Sequence, residues 1–223
     1  MRTPISAPKP LWNLRAPATL VAALALAAAP LAAGASDPIA LGKPKTFDDA
    51  VAALERATGA KGEPVELGGK PVPPGEGRAF PVDGATAERL LSGSHASFRT
   101  AGLYLFRLER SFGIAGEKDP VVLLKTADRD AVVRRVGTSS AKTGATTESI
   151  VAWLDALAKD EPFELTEVGV DYLAGRFARA PKDPEAVARR CVAIAPDLVA
   201  ARASTFGLLV EEIRSTHTLY LIF

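Results

Sequence analysis

Two carboxylates, Asp171 and Asp197, are the side chains best placed for chemistry. Asp171 follows the run VGV and Asp197 follows AIAP, so each can project from the end of a strand or helix. If they met in a cleft, one could donate a proton while the other accepted one, as paired carboxylates in unlike environments do. The competing reading is structural. Asp197 after Pro196 suits a turn or helix-end hydrogen bond, and Asp171 can satisfy backbone donors beside an irregular strand. A second candidate is the turn Gly137-Thr138-Ser139 with Arg135 before it. The cluster Arg129, Arg134, Arg135 could receive an anionic group there, although a solvated helix face is the plainer reading.

Other reactive side chains are few. His95 and His217 are distant in sequence, and a zinc site would need a further ligand grouped near one of them, so no metal is expected. The single cysteine, Cys191, lies four residues after Val187 and three before Ile194. On a helix this is the position of a small buried apolar group rather than a nucleophile. There is no G-x-S-x-G elbow, P-loop, dinucleotide fingerprint or H-E-x-x-H, and no cofactor is expected.

The elements that must position Asp171 lie in the stretch 146–172. Ile150, Trp153, Leu154 and Leu157 recur at the spacing of one apolar helix face, with Trp153 read as core. Thr146 caps this helix, Glu148 and Lys159 oppose its dipole ends, and Pro162 stops it. The strand that follows points Phe163 and Leu165 inward. Its apolar set then moves to Val168, Val170 and Tyr172, a slip of one residue that a β-bulge or strand break near Glu167 and Gly169 would repair.

At the N-terminus, a basic, acid-free segment with Arg2, Lys9 and Arg15 precedes an Ala/Leu/Val run and Ala33-Gly34-Ala35. This pattern reads as a secretory signal peptide, residues 1–35, cleaved after Ala35. An uncleaved anchor is the rival, but the run is alanine-rich and contains Pro17 and Pro30, which suits a bilayer span poorly. A mitochondrial transit peptide ranks lower. Cleavage leaves no stable membrane span and an exported protein, periplasmic or extracellular. It also lowers the basic residues from 27 to 24 against 26 acidic ones, a net charge of −2 that does not suit nucleic-acid binding. With one cysteine the exported chain has no internal disulfide, so its stability must come from packing.

Residues 36–77 read as a linker, a helix opened by Thr46 and ended by Gly59, and a Pro/Gly-rich loop. Residues 78–223 read as the main domain. LYLFRL (103–108) and VVLL (121–124) are apolar on both faces and belong inside a sheet. A helix is expected over 86–98 despite Gly93, another from Asp128 to Arg135, and a third from Asp183-Pro184-Glu185 to Ile194. A last helix begins near Thr205. The closing TLYLIF reads as a strand held between neighbours or under helices. The architecture expected is a single α/β domain, with α+β as the alternative, in which helices pack on the faces of a mixed sheet.

From Arg99 onward the chain resembles the bacterial domain-of-unknown-function family 4253. The resemblance is carried by VVLLK (121–125), Gly137-Thr138, TTESIVAWL (146–154), PFEL (162–165), GVDYL (169–173), DPEAVARR (183–190), APDLV (195–199) and LYL (219–221). The family pattern implies polar groups that are replaced here by Ser139, by Lys142-Thr143-Gly144, by Ala200-Ala201-Arg202 and by Ile222-Phe223. Asp171, Asp197 and the Gly137-Thr138 turn carry over. Two functions stand at this point. One is a non-enzymatic protein- or ligand-binding domain in the cell envelope, with an envelope protein as a candidate partner; the other is a hydrolase that uses Asp171 and Asp197.

Overall fold

Six strands form one mixed sheet, and most of the helices that flank it begin at residues whose side chains cap them. In chain order the elements are α1 (Phe47–Thr58), β1 (Glu66–Leu67), β2 (Lys70–Pro71), β3 (Gly77–Val82), α2 (Gly84–Thr100), β4 (Tyr104–Arg107), β5 (Asp119–Leu124), α3 (Arg129–Val136), α4 (Thr147–Asp160), β6 (Phe163–Val168), β7 (Tyr172–Phe177), α5 (Pro184–Ile194), α6 (Leu198–Ala201), α7 (Phe206–Thr216) and β8 (Thr218–Ile222). The computed structural model describes residues 37–110, 116–201 and 205–223. All of them fall within one compact unit, Ala32–Phe223. The expected signal peptide lies outside the described residues, as do Arg202 and part of the loop joining β4 to β5.

The side chains of Thr46, Asp83, Asp128, Thr146, Asp183 and Thr205 each accept a first-turn backbone N–H. Each such cap stabilises its helix by about 1 kcal/mol. These caps set the helix starts and hence where each connecting strand begins.

The strand order is β3-β5-β4-β6-β7-β8, and β1 pairs with β2 in a separate hairpin. Every neighbouring pair in the large sheet is antiparallel except β4 with β6, where Arg107 stands opposite Glu167. The domain is therefore a single α/β unit with a mixed sheet, as expected. Strands β4 and β5 occupy interior positions, as their two-sided apolar pattern requires.

Alternation along the strands divides the core in two. Tyr104, Phe106, Val122, Leu124, Leu165, Leu173, Leu219 and Leu221 face α3, α4, α5 and α7. On the opposite face, Phe80, Val82, Leu105, Val121 and Leu123 pack against α1 and α2. This second core draws no buried residue from β6, β7 or β8.

Three local expectations are corrected. The segment before α1 is not a loose linker: Ile39 N donates to Arg89 O (2.9 Å), and Ser94 Oγ donates to Ile39 O (2.6 Å) and accepts from Leu41 N (3.1 Å). Gly93 permits this crossing, because a Cβ there would lie 2.4 Å from the Ile39 carbonyl oxygen. Val170 is not inward on a strand but 62% exposed, in the turn between β6 and β7. The phase slip is met twice, by an extra residue at Thr166 and by the chain reversal at residues 169–171. Finally, β8 is the last strand in the sheet order, and only Leu219 and Leu221 are fully buried. Thr218, Tyr220 and Ile222 point to the other, less covered face, so TLYLIF is half core rather than wholly core.

Candidate functional site

The half of the sheet face left over by the second core carries charge. Residues that alternate onto it are Arg107 of β4, Glu167 of β6, Tyr172 and Arg176 of β7, and Tyr220 of β8. The bulge at Thr166 is decisive for Glu167. Without the extra residue, strict alternation would turn Glu167 toward the face that carries Leu165. Asp119 enters at the start of β5, Glu88 from the second turn of α2, and Arg110 from the segment after β4.

These groups form a continuous ion network. Arg107 Nη1 lies 3.4 Å from Asp119 Oδ2 and 3.6 Å from Glu167 Oε1, and its Nη2 lies 3.3 Å from Glu88 Oε2. Arg110 grips Glu167 in a fork through Nε (3.0 Å) and Nη2. Arg176 pairs with the other oxygen of Glu88. Three guanidinium groups are thus matched by three carboxylates.

Exposure separates an inner from an outer layer. The side chains of Arg107, Asp119 and Glu167 are 4%, 1% and 4% exposed, whereas those of Arg110, Arg176 and Glu88 are 33%, 41% and 46% exposed. Burial holds the Arg107 guanidinium below its ordinary pKa, opposed by the carboxylates of Glu167 and Asp119. Its Nε is buried without a hydrogen-bond partner.

Two tyrosines complete the surface. The Tyr172 and Tyr220 rings stack obliquely, with centroids 5.6 Å apart, and the Arg110 guanidinium lies 5.7 Å from the Tyr220 ring centre. Tyr172 donates to Leu108 O (3.0 Å); burial and the Glu167 carboxylate both raise its pKa. Beside this network, His95 is 1% exposed. Its Nδ1 donates to Leu105 O (2.6 Å), while Nε2 lies 3.7 Å from Glu164 Oε1 without a hydrogen bond. Burial lowers the His95 pKa, with Glu164 opposing.

The residues expected from sequence meet elsewhere, around the loop between α3 and α4. Thr138 Oγ1 donates to Gly169 O (2.7 Å) and Ser139 N to Val170 O (2.9 Å), which docks the Gly137–Ser139 turn onto the turn holding Asp171. Asp197 borders the same loop through Lys142 Nζ at 2.7 Å. No hydrogen bond or ion pair joins Asp171 to Asp197 among the described residues. Asp171 is exposed, and its backbone oxygen accepts from Phe223 N (2.8 Å). Arg135 pairs with Glu76 (2.8 Å) on the surface. Cys191 is fully buried, with its thiol pushed up to about 12 by burial, and Trp153 sits at the core margin with its indole N–H on Arg190 O (3.0 Å). Among the described residues, no group of three His, Cys, Asp or Glu side chains is arranged to hold a metal ion, and no helix is long and apolar enough to cross a membrane.

Sequence reasoning passed over the network, though its signal was present. Arg107 is the one charge in LYLFRL, Asp119 opens the buried run DPVVLL, and Glu167 sits at the phase slip. A charge inside a strand that is apolar on both faces must be paired when buried.

Residues 120–223 match the sequence profile of a family described as Domain of unknown function (DUF4253). Neither the curated proteins nor the solved structures contain a significant match to the chain.

Proposed function

Residues 120–223 belong to the DUF4253 family, and on that premise we propose that the chain is an exported, non-enzymatic binding protein of the cell envelope. Its partner would be another protein, held on the charged half of the sheet face. The family segment supplies β6, β7 and β8 with Glu167, Tyr172, Arg176 and Tyr220. The preceding segment supplies β4, which lies between β5 and β6, together with Arg107, Arg110 and Glu88. The binding face therefore needs both segments.

The observation that carries the reading is the layering of the network. The buried Glu167 holds Arg110 and the half-exposed Glu88 holds Arg176, and both arginines keep unused donors. Arg110 donates to Glu167 through Nε and Nη2, and Arg176 to Glu88 through Nη2 alone. Arginine and tyrosine are the residues that most often anchor protein interfaces, and a guanidinium fork suits a carboxylate. The partner this face fits presents acidic side chains flanked by apolar ones. Export is supported by the basic, then apolar, then small-residue order of residues 1–35.

Tagged protein incubated with native envelope extract tests this. Wild type should capture a stoichiometric partner that Tyr220→Ala and Arg176→Glu lose and Asp171→Ala retains. Capture lost only in Asp171→Ala would move the site to the loop beside α3.

A second reading, a carboxylate-dependent hydrolase, is favoured by one fact: Asp171 and Asp197 border the same loop. An activity that persists when both are changed to Asn would remove it.

A further inference from the structure

Arg135 and Gly137 take no part in the charged sheet face, yet they line a groove of their own. The tip of the β1–β2 hairpin rests on the C-terminal turn of α3. At Gly68, with φ of +57°, a Cβ would lie 2.8 Å from the Arg135 carbonyl oxygen, so only glycine allows this approach. Beside the contact opens a groove of about 560 Å³, within the size range of small-molecule sites. Its exposed apolar lining is Pro71 and Pro73, beside the buried Leu67 and Val72, and its rim carries three cations, Lys70, Arg134 and Arg135.

Glutamates outside the groove pair with two of these cations. Arg134 gives Nε and Nη2 to Glu148 (2.9 and 3.1 Å), and Arg135 gives Nη2 to Glu76 (2.8 Å). All four side chains are more than two-fifths exposed, so these pairs hold the guanidinium groups in place without consuming their remaining donors. Lys70 has no ion-pair partner among the described residues. A second groove of about 340 Å³ lies on the other side of the hairpin tip, with Glu66 and Glu109 on its rim, so the two sides differ in charge.

We propose that the larger groove binds a medium-chain carboxylate. The alkyl chain would lie on the exposed prolines Pro71 and Pro73, and the carboxylate would take donors from Lys70 and Arg135. Apolar walls supply non-directional attraction, and the cationic rim selects an anion over a neutral chain of the same length.

Titration of the purified protein with octanoate, followed by backbone amide NMR, tests the site. Saturable shifts should centre on Leu67, Lys70, Ala131 and Arg135, with acetate and octanamide each binding at least tenfold more weakly. Lys70→Gln and Arg135→Gln replace exposed groups and should leave the fold unchanged. Each should weaken octanoate by about fivefold, the upper end of an exposed charge contact. Absence of saturable binding, shifts centred elsewhere, or unchanged affinity in both variants would overturn the proposal.

Discussion

One face of the sheet is built in two ways. Over β3, β5 and β4, the side chains Phe80, Leu105, Val121 and Leu123 are closed off by α1 and α2 and have no exposed surface. Over β6, β7 and β8, the same face carries Glu167, Arg176, Tyr172 and Tyr220, with α2 only at its border. The apolar half gains by removing carbon from water. The charged half cannot gain that way, since burying paired charges roughly breaks even against desolvation. A region that gains little from burial, yet is ordered by ion pairs, is what the binding proposal rests on.

The comparison breaks most sharply at the seam. Glu167→Ala leaves Arg107 and Arg110 facing each other without their shared carboxylate, and should cost about 3–5 kcal/mol in urea unfolding. Replacing Arg107, Asp119 and Glu167 together by Met, Leu and Leu should cost far less, because no buried charge is left unpaired. In the apolar half, Leu105→Ala should cost about 2–5 kcal/mol through its cavity, with no such rescue.

Smaller effects sharpen the picture. Gly93→Ala drives a methyl group into the Ile39 carbonyl and should cost about 1–3 kcal/mol, and prior removal of residues 37–41 should relieve most of that cost. His95 has a folded pKa below its unfolded value, so the unfolded chain binds the proton more readily. Its contribution to stability is complete above the ordinary histidine value of about 6.5 and is lost as pH falls below it. Acid unfolding followed by circular dichroism should therefore be shallower below about pH 6.5 in His95→Gln than in wild type. At the far end, breaking the exposed Arg134–Glu148 pair should change stability by less than about 1 kcal/mol.

Much of the fold was legible in the residues. Thr46, Asp128, Thr146 and Asp183 cap the helices they were expected to cap, because an N-cap is a local interaction that the next three residues decide. LYLFRL and VVLL lie in the sheet interior, as two-sided apolar strands must. The site was less legible, since it depends on pairing between distant strands. Nothing near Arg107 in sequence shows that Glu167, sixty residues on, will stand opposite it in a parallel pair. Asp171 and Asp197 drew attention as carboxylates at element ends, whereas the buried carboxylates sat inside strands where alternation read them as exceptions. The crossing at Gly93 was hidden for the same reason: an interior glycine lowers helix propensity, and only the packed segment explains it.

The most direct test of the central claim pairs capture with stability in one double variant, Arg176→Glu with Tyr220→Ala, both partly exposed. If the charged half exists to bind, quantitative mass spectrometry of envelope-extract capture should show the wild-type partner lost while urea stability falls by no more than about 1–2 kcal/mol. Full retention of the partner by a correctly folded double variant would contradict the account.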